Sequence, residues 1–119
     1  MANETIRQRK VADQIKELVS SIIDQKIKDP NKGFITITHA KISKDLRIAS
    51  LYFTVLGDDQ QKQKSLEVLN RAKNFIRNEI RPHLKLRFIP ELRFFIDDTM
   101  EYAQKIEKLL DDIKKQEKQ

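Results

Sequence analysis

Residues 65–88 read as an amphipathic rod whose two sides have different partners. Laid on a helix at about 100° per residue, Val68, Leu69, Ala72, Phe75, Ile76 and Ile80 cover one side, while Lys73, Arg77 and Arg81 lie on the other. The first side is for packing and the second is for something negative. Residues 71–93 carry seven basic and two acidic side chains, which strengthens that reading. Asn74 sits in mid-pattern. Because Asn hydrogen-bonds locally and reaches the left-handed backbone region more readily than most residues, it predicts a break between two helical pieces. Such a break would present backbone N–H groups beside the basic side chains.

A chain of 119 residues is one domain with an extension, long enough to bury a core without staples. Residues 1–97 form the expected domain, and residues 98–119 the expected terminal helix and fraying tail. The absence of cysteine excludes disulfides, thiolate nucleophiles and cysteine zinc sites, and suits a reducing cytoplasm. No apolar run approaches the roughly 20 residues needed to span a bilayer, so a cytoplasmic location is expected. The net charge of +6 is unevenly spread: residues 97–119 hold seven acids against five lysines, and the first 96 residues hold 19 basic against 11 acidic side chains. That balance is expected of a domain facing a polyanion, although lysine also serves simply to solubilise.

Thr5 and Gln8 make a capping box ahead of a helix whose Val11, Ile15, Leu18 and Ile22, with Ala12, Val19, Ile23 and Ile27, form a broad apolar face. Arg7, Arg9 and Lys10 open its first turn, where positive charge opposes the helix dipole; an anion bound there would relieve the conflict. A dense turn signal, Lys28-Asp29-Pro30-Asn31-Lys32-Gly33, then reverses the chain. Two strands follow at residues 34–42 and 47–56, joined at Ser43-Lys44-Asp45-Leu46 as an antiparallel hairpin. Asp58 and Asp59 offer a cap to the helix carrying the central stretch. Pro82 ends that helix at or soon after Arg81. A third strand spans residues 91–96, and Asp98 caps a last helix with a seam of Ala103, Ile106, Leu110 and Ile113. The order predicts an α+β fold with helices on one face of a small sheet.

Catalysis finds little support. His39 and His83 are far apart in sequence and lack a second ligand at metal spacing. With only Gly33 and Gly57, no phosphate-cradling glycine loop can be built. The acid pairs Asp58-Asp59, Asp97-Asp98 and Asp111-Asp112 are adjacent in sequence and so point in different directions. No enzyme, cofactor or metal is expected. What remains is a basic surface: Arg7, Arg9, Lys10, Arg71, Lys73, Arg77, Arg81, Lys85 and Arg87, with Asn74 at the expected break beside them, are the candidate nucleic-acid-binding residues, enough for the six to ten phosphate contacts typical of such a binder. Phe53, Phe75 and Phe94 fall on apolar faces as core; Tyr52 and Phe95 face the other way and carry a minor stacking hypothesis.

The run Arg9-Lys10-Val11-Ala12-Asp13-Gln14-Ile15, then Lys28-Asp29-Pro30, Ser43-Lys44-Asp45-Leu46-Arg47-Ile48-Ala49, Phe75-Ile76-Arg77, Leu86-Arg87 and Pro90-Glu91-Leu92 with Phe94, resembles the bacterial ribosome-binding factor A family. The likeness extends from about Arg7 to Leu110. It implies a type II KH-like domain, helix-strand-strand-helix-kink-helix-strand, with an added C-terminal helix. It further implies a monomeric, non-enzymatic assembly factor that binds the free 30S ribosomal subunit and 16S rRNA or its precursor. Such a factor assists late small-subunit maturation and 16S rRNA processing, especially in the cold, with GTPase assembly factors as further candidate partners. Where the family joins its two central helices by an Ala-x-Gly turn, this chain has Ala72-Lys73-Asn74, and Lys44 stands where the family usually has proline. The rival reading is a protein-binding module that uses a sheet edge or the terminal helix. On the RNA reading, replacing Arg77, Arg81 and Lys85 by Ala should weaken 30S association and leave melting nearly unchanged.

Overall fold

The computed structural model describes residues 4–99 and 107–113 of the chain. Helix α1 (Ile6–Lys26) begins at the expected capping box: Thr5 Oγ1 accepts from the Gln8 N–H at 3.0 Å, and Gln8 Oε1 accepts from the Thr5 N–H at 3.0 Å. Gln8 is itself buried, and its Nε2 donates to the Ile42 carbonyl at 3.2 Å. The cap therefore also ties the helix to the end of the first strand. Val11, Ala12, Ile15, Val19 and Ile23 are buried in the core, as their spacing requires.

Strands β1 (Ile35–Ile42) and β2 (Ile48–Val55) pair antiparallel, and β3 (Glu91–Ile96) adds to β2 in parallel, giving the order β1-β2-β3. A β-bulge between Ile37 and His39 shifts the register, so Thr38 and His39 both face outward while Ile37 and Ala40 stay buried. A parallel neighbour needs a crossover of a dozen or more residues, and α2 (Asp59–Ile80) supplies it. Asp58 caps α2, its carboxylate accepting from the Gln61 N–H at 2.9 Å. Both helices pack on one face of the sheet, α1 against β1 and α2 against β3.

Two expectations are corrected here. Helix α2 runs unbroken through Asn74, and the only described non-glycine residue with positive φ is Leu46. An interior Asn costs at most about 0.7 kcal/mol relative to Ala. Keeping Ile76 and Ile80 in register with Val68 and Leu69, all at most 2% exposed, secures roughly 1.5–3 kcal/mol per side chain, so continuity wins. Phe75, read as core, is 46% exposed: it lies at the margin of the apolar stripe, lining an open cleft beside Lys26 and Ile27 at the end of α1. Pro82 acts as expected. Helix α2 ends at Ile80, a 3-10 turn spans Arg81–His83, and the Leu84 N–H donates to the Arg81 carbonyl at 3.2 Å.

A helix begins at residue 99, directly after Asp98. Ala103 and Ile106 of its expected seam lie outside the described residues, as does the run from Lys114 onward; residues 107–113 are helical, with Leu110 and Ile113 exposed.

Candidate nucleic-acid interface

Residues 71–87 run back along α1 from its C-terminal end to its N-terminal end. Arg71 Nη2 lies 3.5 Å from Asp29 Oδ2, just past the end of α1, and Glu79 Oε1 accepts from Lys26 Nζ at 2.7 Å. Further along, Gln14 Nε2 donates to the His83 carbonyl at 2.9 Å, and Arg87 shares a cleft with Arg7 at the start of α1. With 1.5 Å of rise per residue, this path is about 30 Å long. The basic side chains of two segments that the sequence separates by some sixty positions are thus strung along one helix.

Not all of them are available. Arg77, expected on the free cationic wall, is half-buried: its Nε donates to the Pro90 carbonyl at 3.1 Å and its Nη2 to the Ile89 carbonyl at 2.6 Å. The guanidinium is held there because the segment entering β3 leaves two carbonyls side by side, and Arg presents donors in a matching fork. It latches that segment to α2. Arg81 is exposed, with one long contact from Nη2 to Asn78 Oδ1 at 3.4 Å. Arg9 sits 3.6 Å from Asp13, both largely exposed, a pairing worth little in water. Arg7, Lys10, Lys85 and Arg87 are exposed, and among the described residues none of them makes an ion pair. Positions 7, 10 and 14 share one stripe of α1, which turns Lys10 toward the loop that Gln14 holds. Lys73 is half-buried and Asn74 exposed, both on α2 toward the Arg71 end.

Sequence reasoning missed three residues. Lys44 and Arg47 at the tip of the β1–β2 hairpin, with Phe88 in the loop before β3, join Arg7 and Arg87 around a cleft of about 350 Å³. The hairpin tip is firmly braced. The Asp45 carboxylate accepts from Ser43 Oγ at 2.6 Å and from the Arg47 N–H at 3.1 Å, and the Leu46 N–H donates to the Ser43 carbonyl at 2.9 Å. The Ser43 hydroxyl, then the Arg47 amide, and more weakly the Arg47 charge hold the Asp45 carboxyl below its ordinary value. The only linear signal was a pair of cations flanking an aspartate at a turn.

The outer face of the sheet carries the Tyr52 and Phe95 pair singled out earlier. Their rings stack at 5.3 Å, with His39 5.7 Å from Tyr52. Among the described residues no group of three or more His, Cys, Asp or Glu side chains could hold a metal ion, and no helix is long and apolar enough to cross a membrane.

The arrangement has relatives. The family profile described as Ribosome-binding factor A matches residues 7–110. A ribosome-binding factor A of Geobacter metallireducens is 46% identical over 111 residues, covering 93% of this chain and 94% of the relative. Among solved structures, a ribosome binding factor A from Thermotoga maritima superposes with a TM-score of 0.68 at 32% identity, covering 80% of this chain and 91% of that one. A Thermus thermophilus ribosome binding factor A, fitted into a cryo-EM map of its complex with the 30S subunit, shares the fold with a TM-score of 0.61 at 23% identity, covering 73% of this chain and 91% of that one. With the α-β-β-α-β order, the parallel third strand and this match along nearly its whole length, the chain belongs to the ribosome-binding factor A family.

Proposed function

We propose that this protein binds the small ribosomal subunit through its rRNA, using the basic line along α1 and the cleft at its N-terminal end. The observation that carries the reading is the convergence of Arg7, Lys10, Lys85 and Arg87, exposed and without ion pairs, on one end of the molecule. Uncompensated cations repel one another, and a polyphosphate backbone relieves that repulsion while releasing its own counterions. Family membership and the 30S complex of the Thermus thermophilus relative support the same partner. Under this reading no bond is made or broken. The protein is an assembly factor of the cytoplasm that acts as a monomer: it favours one rRNA arrangement over another, and it assists late maturation and 16S processing, including in the cold, to the extent that its affinity differs between the two states. GTPase assembly factors are further partners on this reading.

The test is the variant Lys10→Ala, Arg81→Ala, Lys85→Ala, assayed for association with free 30S particles across a salt series. These side chains make no tight internal contact, so melting should stay unchanged while affinity falls and the slope of log affinity against log salt flattens by about 0.7–0.9 per lost phosphate contact. Association that is unaltered in strength and slope would remove this line from the interface.

A further inference from the structure

We propose that the cleft at the hairpin tip holds one unpaired RNA nucleotide, its base stacked on Phe88 and its phosphates between the surrounding cations. The inference rests on the rRNA-binding reading above and names the form of RNA that this end of the molecule takes. Four cations from three separate segments meet there: Arg7 from α1, Lys44 and Arg47 from the hairpin, and Arg87 from the loop before β3. One acid, Asp45, shares the cleft, and its carboxylate is occupied by the turn it braces. The net charge of the lining is therefore +3.

Phe88 gives the cleft its second character. The ring is 49% exposed, and it shares the cleft with Leu46 and Leu86 as well as with the charged side chains. The Arg47 guanidinium lies over it at 4.1 Å from the ring centroid, and the Arg87 guanidinium at 5.5 Å. A base that enters the open volume stacks on the ring in place of the Arg47 guanidinium, which swings out to meet the nucleotide's phosphate. At about 350 Å³, the cleft falls at the small end of the ordinary range for ligand sites, room for one nucleotide and no duplex. Its walls are set before binding: Leu46 is held at φ 60°, the Ile48 N–H donates to Ser43 Oγ at 3.0 Å, and the Glu91 N–H donates to the Arg47 carbonyl at 2.8 Å, fixing the hairpin to the start of β3. Preorganised donors lose less freedom when a ligand arrives.

The proposal separates single-stranded from double-stranded RNA. In the full-length protein, Phe88→Leu keeps an apolar side chain at a half-exposed position and removes the ring. A single-stranded RNA decamer should bind about 10-fold more weakly to this variant, with the salt slope unchanged because no phosphate contact is lost. Binding of a blunt-ended RNA duplex should not change, and Phe88→Trp should restore the decamer. Arg47→Ala should weaken the decamer and flatten its slope as well. If Phe88→Leu binds the decamer as the parent does, or weakens decamer and duplex equally, the nucleotide site is overturned while 30S association through the basic line stands. Failure of the parent protein to bind 30S particles or either RNA would overturn both.

Discussion

Arg77 shows how a single side chain can change function class once its surroundings are known. By position it belongs with Arg81 on the polar side of α2, yet its guanidinium satisfies the Ile89 and Pro90 carbonyls, which would otherwise be left without these donors beside a fully buried proline. Arg77→Ala should therefore cost stability, about 2 kcal/mol for two charge-assisted bonds at a half-buried site, or roughly 10 °C in Tm. Arg77→Lys should recover little, because an ammonium lacks the fork. Thermal melts of both beside Arg81→Ala, which should leave Tm unchanged, check this; it follows that a triple replacement including Arg77 confounds binding with folding. Asp97 offers a pH-dependent counterpart. Thr38 Oγ1 donates to it at 2.5 Å and the Thr99 N–H at 3.0 Å, and these bonds, the Thr38 hydroxyl first, hold its carboxyl below the ordinary 3.8. A carboxylate with a lowered folded value stabilises the fold above its unfolded value and loses that contribution as pH falls through the folded one. The parent should thus lose stability faster than Thr38→Val as pH drops below about 3.8, and equal acid denaturation curves would show that the bond to Thr38 contributes nothing.

At the scale of elements, the two helices differ in how openly they declare themselves. Thr5 and Gln8, the α1 face, Asp58 and the third strand at 91–96 were all legible, because caps and periodicity are local. The bulge in β1 was written as a phase shift between Ile37 and Ala40, easily passed over among β-branched residues. Asn74 misled because its local preference is real but small, and it yields to the register that Ile76 and Ile80 require. Asn74→Ala should accordingly raise stability by about 0.5 kcal/mol, the gain expected at an exposed site inside a continuous helix; a loss would indicate a break in α2. The turn at 29–33 is held the opposite way, by contacts invisible in sequence. Ser65, fully buried, donates from Oγ to the Lys32 carbonyl at 2.6 Å, and Gln61 Nε2 donates to the Asn31 carbonyl at 3.1 Å. Gly33 has φ 70°, and a Cβ there would lie 2.7 Å from Gln61 Nε2. Gly33→Ala meets the left-handed penalty and pushes Gln61 Nε2 off the Asn31 carbonyl, so a cost of about 2 kcal/mol in denaturant unfolding is expected.

Across the whole molecule, the distinction that matters is between total charge and its placement. The +6 of the chain made a polyanion partner credible but said nothing of where it would lie, because the cations of α1, the hairpin and the loop before β3 are brought together only by tertiary contacts: Gln8 to Ile42, Arg47 to Glu91, and residues 71–87 along α1. That is why Arg87 and Arg7 could be named from sequence but not joined, and why Lys44, Arg47 and Phe88 were not among the candidate binding residues. If placement governs binding, equal losses of charge should have unequal effects. Lys10→Ala with Lys85→Ala removes two cations from the line; Lys41→Ala with Lys64→Ala removes two exposed cations from β1 and from the first turns of α2. Both pairs lower the net charge by two. Seven side chains, Arg7, Lys10, Lys44, Arg47, Arg81, Lys85 and Arg87, stand along the line or its cleft without a close carboxylate ion pair, and six to ten phosphate contacts correspond to a loss of roughly 10³–10⁵ in affinity between 50 and 200 mM salt. The parent should show a salt dependence of that order toward 30S particles, the Lys10 and Lys85 pair should flatten it by nearly two contacts, and the Lys41 and Lys64 pair should leave it unchanged. Identical slopes for the two variants would mean that the subunit senses only the total charge of the protein, and the line along α1 would then have no part in recognition.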